Sequence, residues 1–254
     1  MLPVSDLSFH QRLGRVLEYL GHEDFWPRLV GFLRGFMSFN SWVALVFQPQ
    51  QSPYVLGASD EKMMDERLFA DYLQSFYALD PFYLFSQGVF NPGLYRLDEV
   101  APEYFKQTEY YQRYFKLNVV EDEVQILLPL PQHGVVSLAL GAHQTFSDAD
   151  IGGLLVFLPW LMPVLKAAAL MQISTTSLVP TVGISLEAQL QKRAASALTE
   201  RETQIAILLL AGHSTKSIAA RLQISPETVK VHRRNLYEKL NVSSQAEVFA
   251  LFMR

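Results

Sequence analysis

Residues 198–254 carry helix start and stop signals at close intervals, and these limit the fold of that stretch to a set of short helices. Thr199-Glu200-Arg201-Glu202 reads as a capping box, with the Thr199 hydroxyl and Glu202 carboxylate each satisfying a backbone N–H of the other. Ile205, Leu208 and Leu209 continue that helix to Gly212. Ser214 caps a second helix, Thr215 to Leu222, with Ile218, Ala219 and Leu222 inward. Gln223-Ile224 turns the chain. Ser225-Pro226 opens a third helix to about Leu240, with proline at the one position where its missing N–H costs nothing. Ser243 or Ser244 opens a fourth, Gln245 to Phe252. Short helices with a tight turn between the second and third make a helix-turn-helix, an all-α tetrahelical unit.

At about 100° per residue, Val229, Leu236 and Leu240 share the core face of the third helix. Lys230, Val231 and Arg234 lie on the far side, and Arg233 on the shoulder as a phosphate contact or ion pair. Two long cations around a small apolar residue suit a major groove: the cations for guanine edges or phosphates, Val231 for a thymine methyl. Such a face can also be merely solvated. Thr215 and Lys216, at the start of the preceding helix, favour DNA, because a helix N-terminus offers free N–H groups to phosphates. The charge distribution agrees. The chain carries a net −4, but residues 190–254 hold ten Lys/Arg against five Asp/Glu, a net +5, leaving −9 on residues 1–189.

The string from Leu198 to Val242 resembles the DNA-binding domain of LuxR-type transcriptional regulators. The resemblance rests on Leu198-Thr199-Glu200-Arg201-Glu202, Gly212, Ser214, Lys216, Ile218-Ala219, Leu222, Ile224-Ser225, Thr228-Val229-Lys230, His232, Lys239-Leu240 and Val242. It implies base-reading roles for Lys230, Val231 and Arg234, and backbone contacts at or near Thr215, Lys216, Thr228 and His232. It makes Glu202 and Val229 structural. Gln245 departs from the pattern, where many members carry arginine.

The preceding part reads as helices, hairpin, helices, hairpin, helix. Helical spacing covers Ser5 to Met37, with Gly21 ending one helix and Asp24 capping the next. Trp42 to Phe47 and Tyr54 to Gly57 read as strands, Asp65 to Leu79 and Ala101 to Asn118 as helices, and Phe90 to Gly93 as a turn. Asp122 to Leu130 and Gly134 to Ala142 read as a strand pair. Ser147, with Asp150 in the capping-box position, opens a helix to about Met171. This order predicts an α+β domain, an antiparallel sheet flanked by helices. Gln172 to Gly183 reads as linker and Leu186 to Arg193 as a short helix. The expected partition is a sensor domain at 1–171, a linker at 172–196 and the helix-turn-helix at 197–254. Cysteine is absent, which excludes disulfides, thiolate zinc sites and cysteine nucleophiles. Ile151 to Leu165 is apolar but broken by Pro159 and Pro163, too short to span a bilayer. No targeting segment is visible, and a cytoplasmic protein without membrane contact is expected.

What the first domain senses is narrowed by elimination. Met1 to Phe47 has no strand followed by an acidic pair, so a phosphoacceptor receiver does not fit. No P-loop motif occurs. The sequence also lacks Gly-x-Ser-x-Gly and His-Glu-x-x-His, which argues against an enzyme. His133 and His143 lack metal-ligand spacing, and neither metal nor cofactor is expected. A small-molecule sensor remains. Phe76 to Tyr83, with Asp80-Pro81 at its centre, resembles the Asp-Pro segment of acyl-homoserine-lactone-binding domains, where the aspartate accepts from the ligand amide. Tyr95 falls about where that family often has tryptophan. Arg67 and Asp71 stand where Trp and Tyr are expected, with Tyr72 one step away, so the ligand's identity stays open. Phe146 to Leu170 resembles the closing helix of GAF/PAS-like sensors in LuxR solos. Candidate ligand-binding residues are Trp42, Tyr77, Asp80, Phe82 and Tyr95 among abundant aromatics. Core packing and a capping role for Asp80 are the bland alternatives. The partners expected are double-stranded DNA, a small molecule and a second copy of the chain, since two-fold DNA sites are read by two-fold proteins. The rival is a constitutive DNA-binding protein whose first domain only oligomerises.

Overall fold

Branched aliphatic residues fill two adjacent nine-residue runs, and these form the centre of the sheet. The computed structural model describes residues 6–49, 51–59, 65–119, 121–175, 190–192, 194 and 196–251. Strands β4 (Asp122–Leu130) and β5 (Gly134–Ala142) pair antiparallel over their full length. Strand β1 (Ser41–Phe47) lies on the other side of β5, β2 (Tyr54–Ala58) at one edge and β3 (Gly93–Arg96) at the other. The order is β2-β1-β5-β4-β3, all neighbours antiparallel.

Because side chains alternate across a strand, the sheet has two unlike faces. One presents Trp42, Ala44 and Val46 with Val124, Ile126, Leu138 and Leu140. Helices α1 (Leu7–Leu17), α2 (Phe25–Leu33) and the long α5 (Asp148–Thr175) cover it. Trp26 of α2 is fully buried there, its indole N–H donating to the Gln172 amide oxygen at 2.8 Å. The other face is covered by α3 (Glu66–Gln74), α4 (Pro81–Ser86) and the aromatic-rich segment between β3 and β4.

Four local expectations are corrected. Ala101 to Asn118 is not one helix. A 3₁₀ turn (Phe105–Gln107) is followed by a π-helical turn (Tyr111–Phe115), separated by Thr108. The Thr108 hydroxyl donates to the Phe105 carbonyl at 2.7 Å and accepts from the Tyr111 N–H at 3.1 Å, ending one turn and starting the next. Asp80 does not simply stop a helix. It caps α4, which the sequence reading lacked, as it lacked the edge strand β3. Finally, α5 forms as expected and runs through Pro159 and Pro163, so the apolar stretch expected to be too short for a bilayer lies in a helix of 28 residues. Both prolines are solvent-facing, so the lost N–H partners, the carbonyls of Leu155 and Pro159, can bond water instead. By length and composition Asp148–Ser174 could cross a membrane, yet Leu154, Leu161, Leu165 and Ala169 are buried against the sheet. The linker expected at Gln172 to Gly183 and the short helix at Leu186 to Arg193 lie largely outside the described residues.

The C-terminal unit forms as its caps predict. Its helices are α6 (Glu200–Ala211), α7 (Thr215–Leu222), α8 (Pro226–Leu240) and α9 (Gln245–Ala250), capped by Thr199, Ser214, Ser225 and Ser244. Phe252 lies outside the described residues. The Glu202 carboxylate closes the capping box and holds the Lys239 ammonium at 2.7 Å, tying α6 to α8.

This unit sits against the second helical layer. Phe249 of α9 stacks on Phe76 with ring centroids 5.7 Å apart, and the Arg113 guanidinium lies over the same ring. The Gly212 carbonyl accepts from the Tyr104 N–H at 2.9 Å. Gly212 is needed twice. Its φ of +99° is left-handed, and a Cβ there would fall 2.9 Å from the Tyr104 backbone carbon. Gly212→Ala is expected to cost about 1–2 kcal/mol for the backbone conformation, and more for separating the two units. Gly152→Ala, in the open face of α5 with nothing within 4 Å, is expected to stabilise by about 0.5–1 kcal/mol. Urea unfolding of both variants checks this contrast in sign.

Candidate functional site

Between the sheet and its second helical layer lies a cavity of about 40 Å³. Ser41, Val43 and Leu45 of β1, Glu123 and Gln125 of β4, and Ala139 and Gly141 of β5 form its floor. Phe69 and Tyr72 of α3, with Tyr110, Tyr114 and Asn118, form the roof, and Asp80 closes one side. The small side chains at Ala139 and Gly141 leave the space open above the sheet.

Asp80 is 4% exposed. One carboxylate oxygen accepts from the Phe82 and Tyr83 N–H groups at 2.8 and 3.4 Å, which is its capping role on α4. The other accepts from the Tyr72 hydroxyl at 2.8 Å, with the Tyr110 hydroxyl adding a further hydrogen bond. Burial pushes its pKa up to about 6 against these donors, which favour the ionised form. Glu123 is also buried. One of its oxygens accepts from the Gln125 amide at 3.1 Å, and Gln125 in turn accepts from Ser137 at 2.6 Å. Burial, and then the nearby Asp80 charge, push the Glu123 carboxyl well above the usual carboxylate range. Burial raises the Tyr72, Tyr110 and Tyr114 hydroxyls as well. No Lys, Arg or His lines the cavity among the described residues.

The rings of the roof are continuous with the C-terminal unit. Tyr72 stacks on Tyr114 at 5.0 Å, Tyr114 meets Phe76 at 6.1 Å, and Phe76 stacks on Phe249 of α9.

In that unit, α8 leaves Lys230, Val231 and Arg234 exposed, with Val231 46% exposed. Arg234 has only an exposed partner, Glu238 at 3.9 Å. His232 and Arg233 are half-buried beside them, and Thr228 completes the Ser225 cap at 2.9 Å. Lys216 is exposed at the start of α7. Thr215 is half-buried there, and the preceding Ser214 donates through its backbone and hydroxyl to Glu103 at 3.4 and 3.2 Å. His213 is held neutral, its pKa lowered to about 4 by burial and by Arg221, with Glu103 opposing.

Residues 196–252 match the family of bacterial regulatory proteins of the luxR type. Over 187 residues the chain is 31% identical to an HTH-type transcriptional regulator of the exeN 3′ region in Aeromonas salmonicida, covering 68% of this chain and 93% of that protein. This chain belongs to the LuxR family of transcriptional regulators. The likeness extends to the first domain: the VqsR LBD domain from Pseudomonas aeruginosa superposes with a TM-score of 0.60 at 33% identity, covering 65% of this chain and 98% of that one. The transcriptional regulatory protein UhpA of Salmonella typhimurium is 46% identical over 71 residues, 28% of this chain and 34% of its own length.

Within this LuxR-type chain, the departure at Gln245 is accommodated: its amide donates to the Leu209 carbonyl at 2.6 Å, so it ties α9 to α6. Of the ligand residues expected from sequence, Asp80 and Trp42 touch the cavity. The Trp42 indole, however, lies over Gly57 beside Trp26, in the core on the other side of the sheet. Tyr77 packs edge-on against Tyr83, and Phe82 is fully buried, both away from the cavity. Tyr95 sits on β3 against Phe85, its hydroxyl bonded to the Asn91 carbonyl. Glu123, Gln125, Ser41 and Asn118 were missed, and Tyr72 was noted only as one step off the family pattern. The polar alternation of Glu123 and Gln125 against Val124 and Ile126 was a signal, but it is equally that of a strand with one wet face.

Asp80 binds its proton more tightly folded than unfolded, so it favours the native state at low pH, and that contribution is lost as pH rises from about 4 through about 6. Asp80→Asn keeps a capping oxygen and removes this loss. The variant is expected to gain on the wild type by about 2 kcal/mol between about pH 4 and pH 7. Thermal unfolding across that range measures the difference, and a constant gap between the two proteins would refute the assignment.

Proposed function

We propose that the chain is a small-molecule-responsive transcriptional regulator, with the sensor expected at residues 1–171 extended through the end of α5 at Thr175, a linker to 196 and 197–254 as the DNA-reading unit. The observation that carries the sensor reading is the cavity lined by Asp80 and a roof of tyrosines. An apolar-walled space with a few aimed polar groups is the usual form of a ligand site. The likeness of the first domain to the VqsR LBD domain supports it. The outward cationic face of α8 supports base reading by Lys230, Val231 and Arg234, with Thr215, Lys216, Thr228, His232 and Arg233 at or near the phosphates. The regulator acts in the cytoplasm as a homodimer on a two-fold operator, and performs no catalysis.

Two measurements test this. Lys230→Ala and Arg234→Ala are each expected to weaken binding to duplexes selected by the wild-type protein by about 1–3 kcal/mol. Lys216→Ala is expected to weaken binding to all sequences alike and reduce the salt slope by about one unit. Fluorescence anisotropy distinguishes them, and unchanged affinity in both α8 variants sinks the recognition-helix assignment. For the sensor, the low-molecular-weight fraction of a bacterial culture is expected to raise the wild-type melting temperature by mass action. The rise is expected to shrink in Asp80→Asn.

A further inference from the structure

The hydrogen-bonding capacity left open in the cavity is uneven. Several of the wall's donors are already engaged by wall acceptors: Tyr72 by Asp80, one N–H of Gln125 by Glu123, and one N–H of Asn118 by the Tyr114 oxygen. The second oxygen of Glu123 has no hydrogen-bond partner among the described residues, although Glu123 is only 8% exposed. The Ser41 hydroxyl, 9% exposed and on the same floor, likewise has none among the described residues. Two carboxyl groups line one cavity, and among the described residues the cavity wall supplies no cation. A neutral amide would bring a carbonyl needing a donor, which only the Ser41 and Tyr114 hydroxyls or the second N–H of the Gln125 and Asn118 amides could give. An ammonium group brings three donors and a positive charge, and asks for acceptors only. Buried carboxylates are stabilised when paired with a hydrogen-bonded cation.

We propose that this cavity takes a small protonated primary amine, its ammonium held between the Asp80 and Glu123 carboxylates with the Ser41 oxygen as a further acceptor. The proposal rests on the ligand-sensing reading above and names its ligand class. The volume sets the size. At roughly 10–15 Å³ per water-sized occupant, 40 Å³ admits a ligand head of about three non-hydrogen atoms before the roof moves. A long acyl chain does not fit this space as it stands.

The test is differential scanning fluorimetry of the full chain with propylamine, its neutral isostere propan-1-ol and butanamide. Propylamine is expected to raise the wild-type melting temperature by about 3 °C at ten times its Kd, with no rise from the alcohol. Glu123→Gln, which keeps the size and the Gln125 contact, is expected to lose the response while still melting cooperatively. Asp80→Asn is expected to raise the apparent Kd at least tenfold. Stabilisation by the culture fraction or by butanamide, without any by propylamine, overturns the amine and leaves the sensor reading standing. No stabilisation by the culture fraction or by any of the three compounds overturns both. An equal propylamine response in Glu123→Gln also overturns the proposal, because the second carboxylate then plays no part.

Discussion

The arrangement of the first domain hangs on one buried carboxylate. Asp80 starts α4 through two backbone N–H groups and takes the Tyr72 hydroxyl of α3, so one side chain fixes two successive helices. Tyr110 adds the segment before β4 to the same group. Burying a carboxylate is costly unless its lone pairs are satisfied, and here the donors that satisfy it are the elements forming the cavity roof. Replacing the aspartate by an apolar residue would leave Tyr72 and Tyr110 as buried hydroxyls without their acceptor. The residue that shapes the cavity thus also lines it.

The same roof is the surface on which the DNA-binding unit rests. Phe76, one turn before Asp80, packs on Tyr110 and Tyr114 inside the first domain and on Phe249 outside it. A shift of the tyrosines to admit a ligand would therefore be felt at α9 through rings in direct contact. Contact supplies a route, and a response needs a ligand that binds two arrangements of that route unequally. Glu103 makes the second tie. Its carboxylate sits on Ser214, at the helix start where Thr215 and Lys216 are expected to meet phosphate. Lys230, Val231 and Arg234 of α8, the residues proposed to read bases, stay exposed.

The C-terminal unit was legible because its signals are local. Thr199, Ser214, Ser225 and Ser244 each cap through an atom two or three residues away, and Gly212 ends α6 by its own φ. The β4–β5 pair was legible for a similar reason, since its alternation and its turn lie within one stretch of chain. The broken segment at 101–118 was not. Its aromatic spacing is that of a helix, and the hydroxyl of Thr108 overrides it. Strand β3 was hidden because four residues at a sheet edge carry too little pattern to stand out from the turn before them.

The cavity residues illustrate a deeper limit. Period-two patterning says which residues share a face and nothing about what covers that face. Along β4, the polar side chains of Glu123 and Gln125 have the spacing of a solvated surface, and only the arrival of α3 and the tyrosines from elsewhere in the chain makes them buried. Asp80 was read as a site because a family pattern marked it. Glu123 had no such mark, yet it shares the cavity and lacks a second partner there. A polar strand face that lies under an aromatic layer, rather than under water, must find its hydrogen bonds within the protein or in a ligand. The residue at which that accounting stays open, Glu123, is the one that sequence periodicity assigns to solvent.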